Sequence, residues 1–166
     1  MKLKTIAAAA AVALTTLSSH AANTNWGPHA LLEVGVGSAT NSAIFDTFSF
    51  SLGGLSTVAS SVVSFGTVVG GAYSLYSFGA DNMMGTGDDM GVGAWTFSGT
   101  PAVNTVSLAA GNYYYSVLGG AMGTAQYVIS SAATTAPVPE PETYALLAAG
   151  LGIIGFVSSR RRRDDR

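Results

Sequence analysis

Apolar and polar residues alternate in short stretches between residues 22 and 136. The clearest stretch is IFDTFSFSL, residues 44–52, in which Phe48, Phe50 and Leu52 share one face while threonine and serine occupy the other. Alternation with a period of two is typical of a strand that buries one face. A pair of glycines follows directly and ends the stretch. The pattern therefore predicts a half-buried strand near the start of this region.

Six further stretches in the same region have strand composition. They are rich in valine, serine, threonine and aromatic residues, with glycine between them and no apolar pattern of helical period; they are Ser56–Phe65, Thr67–Phe78, Ala94–Ser98, Val103–Leu108, Tyr113–Leu118 and Ala125–Ser130. Short strands at this spacing predict an antiparallel β-sandwich. Ala110-Gly111-Asn112 predicts a tight turn before YYYSVLGG, in which Tyr113, Tyr115 and Val117 share a face.

The first 21 residues have the pattern of a secretory signal peptide. A basic start (Met1–Lys4) precedes an apolar, alanine-rich run of 13 residues, and Ser19-His20-Ala21 places small residues at positions −3 and −1 of a cleavage site. We expect the Sec translocon to export the chain and signal peptidase to cut after Ala21, with Ala22 as the alternative last residue. An N-terminal membrane anchor is the other interpretation, but a span needs about 20 residues.

The C-terminal region predicts a membrane helix followed by a stop-transfer signal. Residues 144–157 are apolar and uncharged, and as a helix residues 143–159 would span about 26 Å, the short limit for a membrane crossing. We assign the transmembrane helix to residues 144–159. Arg160, Arg161, Arg162 and Arg163 follow it and should stay on the cytoplasmic side of the inner membrane. A buried core helix with a basic cap is the alternative.

The segment before this helix is rich in proline. It reads Val138-Pro139-Glu140-Pro141-Glu142, and the residue before each proline is driven towards an extended conformation. An extended and solvated backbone just outside the membrane is accessible to a processing enzyme. This segment is therefore the predicted processing site.

The order of Pro-Glu-Pro segment, apolar helix and arginine cluster resembles the PEP-CTERM sorting signal of Gram-negative bacteria. The resemblance covers residues 137–163 and includes PETYALLAAGLGIIGF. It implies recognition by exosortase, removal of the tail, and transfer to the cell surface or extracellular matrix, in association with exopolysaccharide and biofilm. The expected organisation is a signal peptide (1–21), a β-rich exported domain (22–136) and a sorting signal (137–163).

Two stretches of the body extend the resemblance. IFDTFSFSL and LAAGNYYYSVLGGAMGTAQYVIS resemble the FxDxF subgroup of PEP-CTERM proteins, whose signature is Phe-x-Asp-x-Phe near the mature N-terminus. Asp46 and Phe48 match the signature, and Ile44 stands at its first aromatic place. Alternation puts Asp46 on the face of Phe48 and Phe50, where an unpaired carboxylate would cost several kcal/mol, on the order of 2–7. We expect it to accept backbone or hydroxyl hydrogen bonds in a structural role, with a ligand site as the alternative.

Charge restricts the function of the body. Between residues 22 and 136 the charged residues are all acidic and there is no lysine or arginine; they are Glu33, Asp46, Asp81, Asp88 and Asp89. A body without cations cannot bind nucleic acid through phosphates. There is no cysteine, and His29 is the only histidine left after signal removal. We therefore predict a protein that is not an enzyme and needs no cofactor. An envelope hydrolase with a pair of carboxylates is an alternative.

The acidic loop, GADNMMGTGDDMGVGAW (Gly79–Trp95), is the one candidate metal site. Asp81, Asp88 and Asp89 offer oxygen ligands suited to calcium on a glycine-rich backbone. Their spacing does not match an EF-hand, and we favour a solvated hairpin loop.

The expected function is that of an exported, non-enzymatic surface or matrix protein sorted by exosortase. Aromatic and hydroxyl side chains of its sheets could contact exopolysaccharide. The alternative is a periplasmic domain that stays anchored in the inner membrane by its tail.

Overall fold

The computed structural model describes residues 21–136 and 145–154. It divides into two compact units, Met1–Thr135 and Ala136–Arg166. The described part of the first unit contains seven strands: β1 (Asn23–Pro28), β2 (Leu32–Thr40), β3 (Ala43–Leu52), β4 (Ser56–Ser77), β5 (Met90–Thr96), β6 (Asn104–Leu108) and β7 (Gly111–Thr135). The mainly β fold expected from the sequence is confirmed.

Strand β7 organises the sheet. It pairs with β4 along nearly its whole length, while its first half also pairs with β3 and its second half with β2. Strand β5 pairs with the second half of β4, and β6 pairs with its first half. The result is a four-stranded half, β2-β7-β4-β6, and a five-stranded half, β1-β3-β7-β4-β5. The two halves share the two long strands.

Glycines mark the place where the long strands change direction. The β4–β7 register shifts between Phe65 and Thr67, around Gly66, whose φ is +84°. Gly123 in β7 has a φ of +74°. Glycine adopts this left-handed conformation without the steric cost that other residues incur. The bulge lies where the four-stranded half passes into the five-stranded half, and bulges of this kind bend a strand.

Several boundaries differ from those predicted. The predicted strands 56–65 and 67–78 form the single strand β4, and 113–118 and 125–130 both belong to β7. Strands β1 and β2 were not predicted. The sheet is also not wholly antiparallel, because β1 pairs with β3 in parallel, with Asn23 opposite Thr47.

Side chains from both halves meet in one core. Phe48, Phe50 and Leu52 are buried together, as are Tyr113, Tyr115 and Val117, so both predicted apolar faces are confirmed. The Phe48 ring, from the five-stranded half, lies 6.4 Å from that of Tyr127 in the four-stranded half. The hydroxyls of Tyr115 and Ser131, which lie towards opposite ends of β7, form a hydrogen bond of 3.0 Å. Burying each large apolar side chain contributes about 1.5–3 kcal/mol to the free energy of unfolding.

The described part of the second unit is Ala136 and one helix, α1 (residues 145–154), whose side chains are exposed. It covers ten of the residues assigned above to a transmembrane helix. Within residues 21–136 and 145–154, no helix has the length and hydropathy required for a membrane crossing. The Pro-Glu-Pro segment, the arginine cluster and residues 1–20 of the signal peptide lie outside the described residues.

Candidate functional site

The signature aspartate is buried at the start of β3. Asp46 faces the core beside Phe48 and is 4% exposed. Its Oδ1 accepts a hydrogen bond from the backbone N–H of Ala22 at 2.7 Å. Its Oδ2 accepts one from the Tyr127 hydroxyl at 2.5 Å. Asp46 thus has one backbone and one hydroxyl donor, the two kinds expected from the sequence, and joins the residue before β1 to β7.

The chain around Ala22 is held on two sides by β3. The carbonyl of Ala22 accepts a hydrogen bond from the N–H of Thr47 at 2.8 Å, while its own N–H is bound by Asp46. From Asn23 onward β1 continues as a parallel strand beside β3. The predicted cleavage residues, Ala21 and Ala22, therefore lie at the point where the chain meets Asp46 and Thr47.

Two further residues complete this site and were not identified from the sequence. Burial raises the pKa of Tyr127, and its hydrogen bond to Asp46 raises it further, so the hydroxyl remains a protonated donor. Gly37 of β2 lies against both groups: a Cβ there would overlap the Tyr127 ring and approach Asp46 Oδ2 to 2.6 Å. Asp46 and Tyr127 are 81 positions apart, so no local pattern connects them.

A cleft of about 470 Å³ opens beside this site. Its walls come from the residue before β1 and from β2, β3, β4 and β7, and its lining includes Ala22, Val36, Ser38, Phe65 and Gln126. The Asp46 carboxylate is the one charged group in this lining. The cleft therefore suits a small cation better than an anion.

The acidic loop is folded by its own carboxylates. Asp88 accepts hydrogen bonds from the Thr86 hydroxyl at 2.6 Å and the N–H of Asp81 at 3.2 Å. Asp89 accepts bonds from the N–H groups of Gly79 and Gly85 and, at 2.8 Å, from the Tyr114 hydroxyl. The last residues of the loop belong to β5, which begins at Met90.

These hydrogen bonds favour the ionised carboxylates. The bond from Thr86, followed by that from the Asp81 backbone, lowers the pKa of Asp88. Desolvation acts to raise the pKa of Asp89, but the bonds from Tyr114, Gly85 and Gly79 together lower it. Burial raises the pKa of the Tyr114 hydroxyl, and its hydrogen bond to the negatively charged Asp89 raises that pKa further. The loop carboxylates are thus already occupied as hydrogen-bond acceptors.

The geometry of the acidic loop gives no direct sign of a metal site. Across the described part of the chain, no three histidine, cysteine, aspartate or glutamate side chains are grouped closely enough to hold a metal ion. The calcium hypothesis for Asp81, Asp88 and Asp89 stays a prediction.

An aromatic cleft lies on the outer face of the five-stranded half. It has a volume of about 480 Å³, and its floor is formed by alternate residues of β3, β4 and β7: Phe45, Thr47, Tyr76, Tyr114, Ser116 and Leu118. The rings of Tyr76 and Tyr114 stack at 5.1 Å. Phe45 is 49% exposed. Aromatic faces beside hydroxyl groups can bind a sugar ring without charge.

The single histidine of residues 22–136 is held between a backbone carbonyl and a buried serine. His29 Nε2 lies 2.8 Å from the hydroxyl of Ser131, and Nδ1 contacts the carbonyl of Ala30. The Ser131 side chain is fully buried and also bonds to Tyr115. A substrate cannot reach this serine, and no carboxylate bonds to His29 in the described structure.

Comparison with known proteins identifies the C-terminal region. Residues 137–163 match the family described as the PEP-CTERM protein-sorting motif. The motif implies an exported protein that exosortase processes, with a C-terminal membrane anchor before processing. No curated protein matches the chain significantly.

Two solved structures share a distant likeness with the chain. The pre-peptidase C-terminal domain of collagenase from Bacillus anthracis is 17% identical, with 66% of this chain and 93% of that chain covered and a TM-score of 0.45. The Yersinia pseudotuberculosis-derived mitogen is 11% identical, with 69% and 92% covered and a TM-score of 0.33. At these TM-scores neither likeness assigns a fold or a function.

Proposed function

We propose that this protein is a non-enzymatic component of the cell surface or extracellular matrix, delivered by exosortase and associated with exopolysaccharide in a biofilm. The observation that carries the proposal is the sorting motif at residues 137–163. The segment order within the motif, with the processing site before the apolar helix and the arginines after it, supports removal of the tail as a unit.

The proposal divides the chain by destination. Residues 1–21 are the signal peptide, residues 22–136 form a mainly antiparallel β-sandwich-like domain outside the cytoplasm, and residues 144–159 cross the inner membrane until exosortase acts. Sheet halves that share β4 and β7 around one core support the sandwich. The buried positions of Asp46 and Phe48 support membership of the FxDxF subgroup, with Asp46 in a structural role.

Binding to polysaccharide would use neutral groups. The body carries five acidic residues and no lysine or arginine, so an anionic polysaccharide is not attracted to it electrostatically. The aromatic cleft supplies the exposed Phe45 ring and the half-buried Tyr76 ring, which is backed by Tyr114, for contact with sugar rings, and the half-buried Thr47 hydroxyl for a hydrogen bond. We infer that a glycan of the matrix binds there.

A role without catalysis agrees with the groups available. His29 is bound to a buried serine rather than to an accessible nucleophile. The loop carboxylates of Asp88 and Asp89 accept internal hydrogen bonds. A hydrolysis assay on host polysaccharide tests the alternative of an envelope hydrolase, and release of reducing ends by the purified protein would support that alternative instead.

Intact mass spectrometry of surface material from the native host tests the sorting. The expected species begins at Ala22 or Asn23, ends before Tyr144, and resists trypsin even when denatured because it contains no lysine or arginine. A strain lacking exosortase is the control, in which the protein should keep its tail and fractionate with the inner membrane. Surface protein that still carries Arg160–Arg163 would contradict the proposal. Protein found only in the inner membrane of the parent strain would establish the permanently tail-anchored alternative.

A further inference from the structure

We propose that Asp46 binds the α-ammonium group that is created when signal peptidase cuts between Ala21 and Ala22. The inference rests on the proposed export of the chain. In the uncut chain the nitrogen of Ala22 is a peptide N–H that donates to Asp46 Oδ1 at 2.7 Å. Hydrolysis adds a hydroxyl to the Ala21 carbonyl carbon and a hydrogen to this nitrogen, which takes a second proton from solvent. A positive charge then stands where a neutral donor stood.

Asp46 needs such a partner because the exported domain offers no other. The carboxylate is 4% exposed, and residues 22–136 contain no lysine or arginine. His29, the remaining basic side chain, directs its ring nitrogens to Ala30 and Ser131. Tyr127 donates a hydrogen bond but no charge. A buried carboxylate is costly without a counter-ion, and an ammonium donor adds a compensating charge to the hydrogen bond that the neutral N–H already makes.

The nitrogen of Ala22 is held in place independently of the residues before it. The carbonyl of Ala22 accepts the N–H of Thr47 at 2.8 Å, and Asn23 starts the parallel pairing with β3. Both contacts lie on the C-terminal side of the scissile bond and survive its cleavage. The adjoining cleft gives the two extra ammonium hydrogens access to water. Two titratable groups face this nitrogen. Asp46 contacts it directly, and Tyr127 lies on the other side of the Asp46 carboxylate.

The geometry also distinguishes the two possible cleavage positions. Cutting after Ala22 would remove the nitrogen that Asp46 contacts and place the new terminus on Asn23, about 3.8 Å farther along the chain. Only the cut after Ala21 leaves the terminal nitrogen on the carboxylate. The signature aspartate therefore receives a ligand-binding role whose ligand is the chain's own processed terminus.

The absence of lysine after Lys4 permits a direct experiment. Reductive methylation with ¹³C-formaldehyde labels only the α-amine of the signal-processed protein, so its NMR signal titrates alone. An α-amine ordinarily titrates at about 7.7–8.0. We expect a pKa at least about one unit higher, a tenfold change in proton affinity, and a return to the ordinary range in Asp46→Asn. The bound ammonium then stabilises the fold below about pH 8, and this stabilisation is lost as the pH rises through the raised value.

A second variant keeps Asp46 intact in case Asp46→Asn does not fold. One glycine inserted between Ala21 and Ala22 restores a neutral peptide N–H at Ala22 and moves the ammonium away, so the labelled amine should titrate in the ordinary range. Intact mass is measured first. A terminus at Met1 contradicts the export proposal as well, whereas a terminus at Asn23 overturns this inference and leaves export standing. A parent protein that begins at Ala22 and whose α-amine titrates in the ordinary range, as in the two variants, overturns this inference alone.

Discussion

Individual residues of this domain are constrained mainly by side chains distant in sequence. Gly37 is the clearest case, because the ring of Tyr127 and the carboxylate of Asp46 occupy the space that its side chain would need. Asp46 itself is enclosed by the start of the domain on one side and β7 on the other. A small residue in β2 thus permits a polar contact between β3 and β7.

Gly37→Ala should destabilise the domain. The added Cβ has to displace Tyr127 or Asp46, and forcing an extra carbon into a packed site costs about 1–3 kcal/mol. Chemical denaturation monitored by tyrosine and tryptophan fluorescence measures the change. Gly53→Ala is the matched control, since no atom lies within 4 Å of the point that its Cβ would occupy. Equal stability of the two variants would show that the site tolerates the extra carbon.

The stability of the acidic loop should depend on pH. Hydrogen bonding holds the pKa of Asp88 and Asp89 below the ordinary 3.8, so their contribution is complete above that value and is lost as the pH falls through the lower, folded value. Melting temperatures measured between pH 6 and about pH 2 should therefore fall less steeply in Asp88→Asn/Asp89→Asn than in the parent. If the melting temperatures of parent and variant fall equally with pH, the protonation of these carboxylates is not linked to folding.

At the scale of the elements, local alternation predicted some strands and missed others. The patterns in β3 and in the first half of β7 were recognisable because large apolar residues recur at every second position. Strand β2 was missed because its alternating apolar residues, Leu32, Val34 and Val36, lie on the exposed face, whereas glycines stand on the other face. Gly35 and Gly37 leave room there for the rings of Phe48 and Tyr127. Strands β4 and β7 were each predicted as two shorter strands, because glycine in a sequence usually indicates a turn. In the structure, β4 and β7 remain paired with each other on both sides of these glycines.

Gly66→Ala should show what the bend in β4 requires. A Cβ at Gly66 would lie 2.6 Å from the carbonyl oxygen of Thr124, in addition to the cost of a left-handed backbone, about 1–2 kcal/mol. Gly123→Ala is the control, because Gly123 is also left-handed but nothing lies within 4 Å of its Cβ position. In urea denaturation, the free energy of unfolding of Gly66→Ala should be lower than that of Gly123→Ala. A reversed order would refute the close approach at the bend.

Calcium is expected to leave the acidic loop unchanged. Its carboxylates already accept internal donors, so millimolar calcium should not raise the melting temperature of the protein. Differential scanning fluorimetry with magnesium as a parallel control measures this. A rise that Asp88→Asn/Asp89→Asn abolishes would instead establish a calcium site.

At the scale of the whole molecule, the terminal segments are predicted to determine the orientation of the chain in the membrane. The signal peptide and the arginine cluster both predict that residues 22–143 lie outside the cytoplasm before processing. Alkaline phosphatase fused after Ala136 should be active, and the same enzyme fused after Arg166 inactive. Replacing Arg160–Arg163 with serine should weaken this difference. The opposite pattern of activity would refute the membrane assignment.

The central position of β7 determines when the domain can fold. Strands β2, β3 and β4 all pair with β7, and β7 ends at Thr135, only two positions before the sorting motif begins. A chain that emerges N-terminus first therefore cannot complete its core until the last segment of the body has crossed. Loop closure over such long separations is also slow. On the proposed export route, the protein reaches the periplasm as an unfolded chain and folds while its tail still holds it at the membrane.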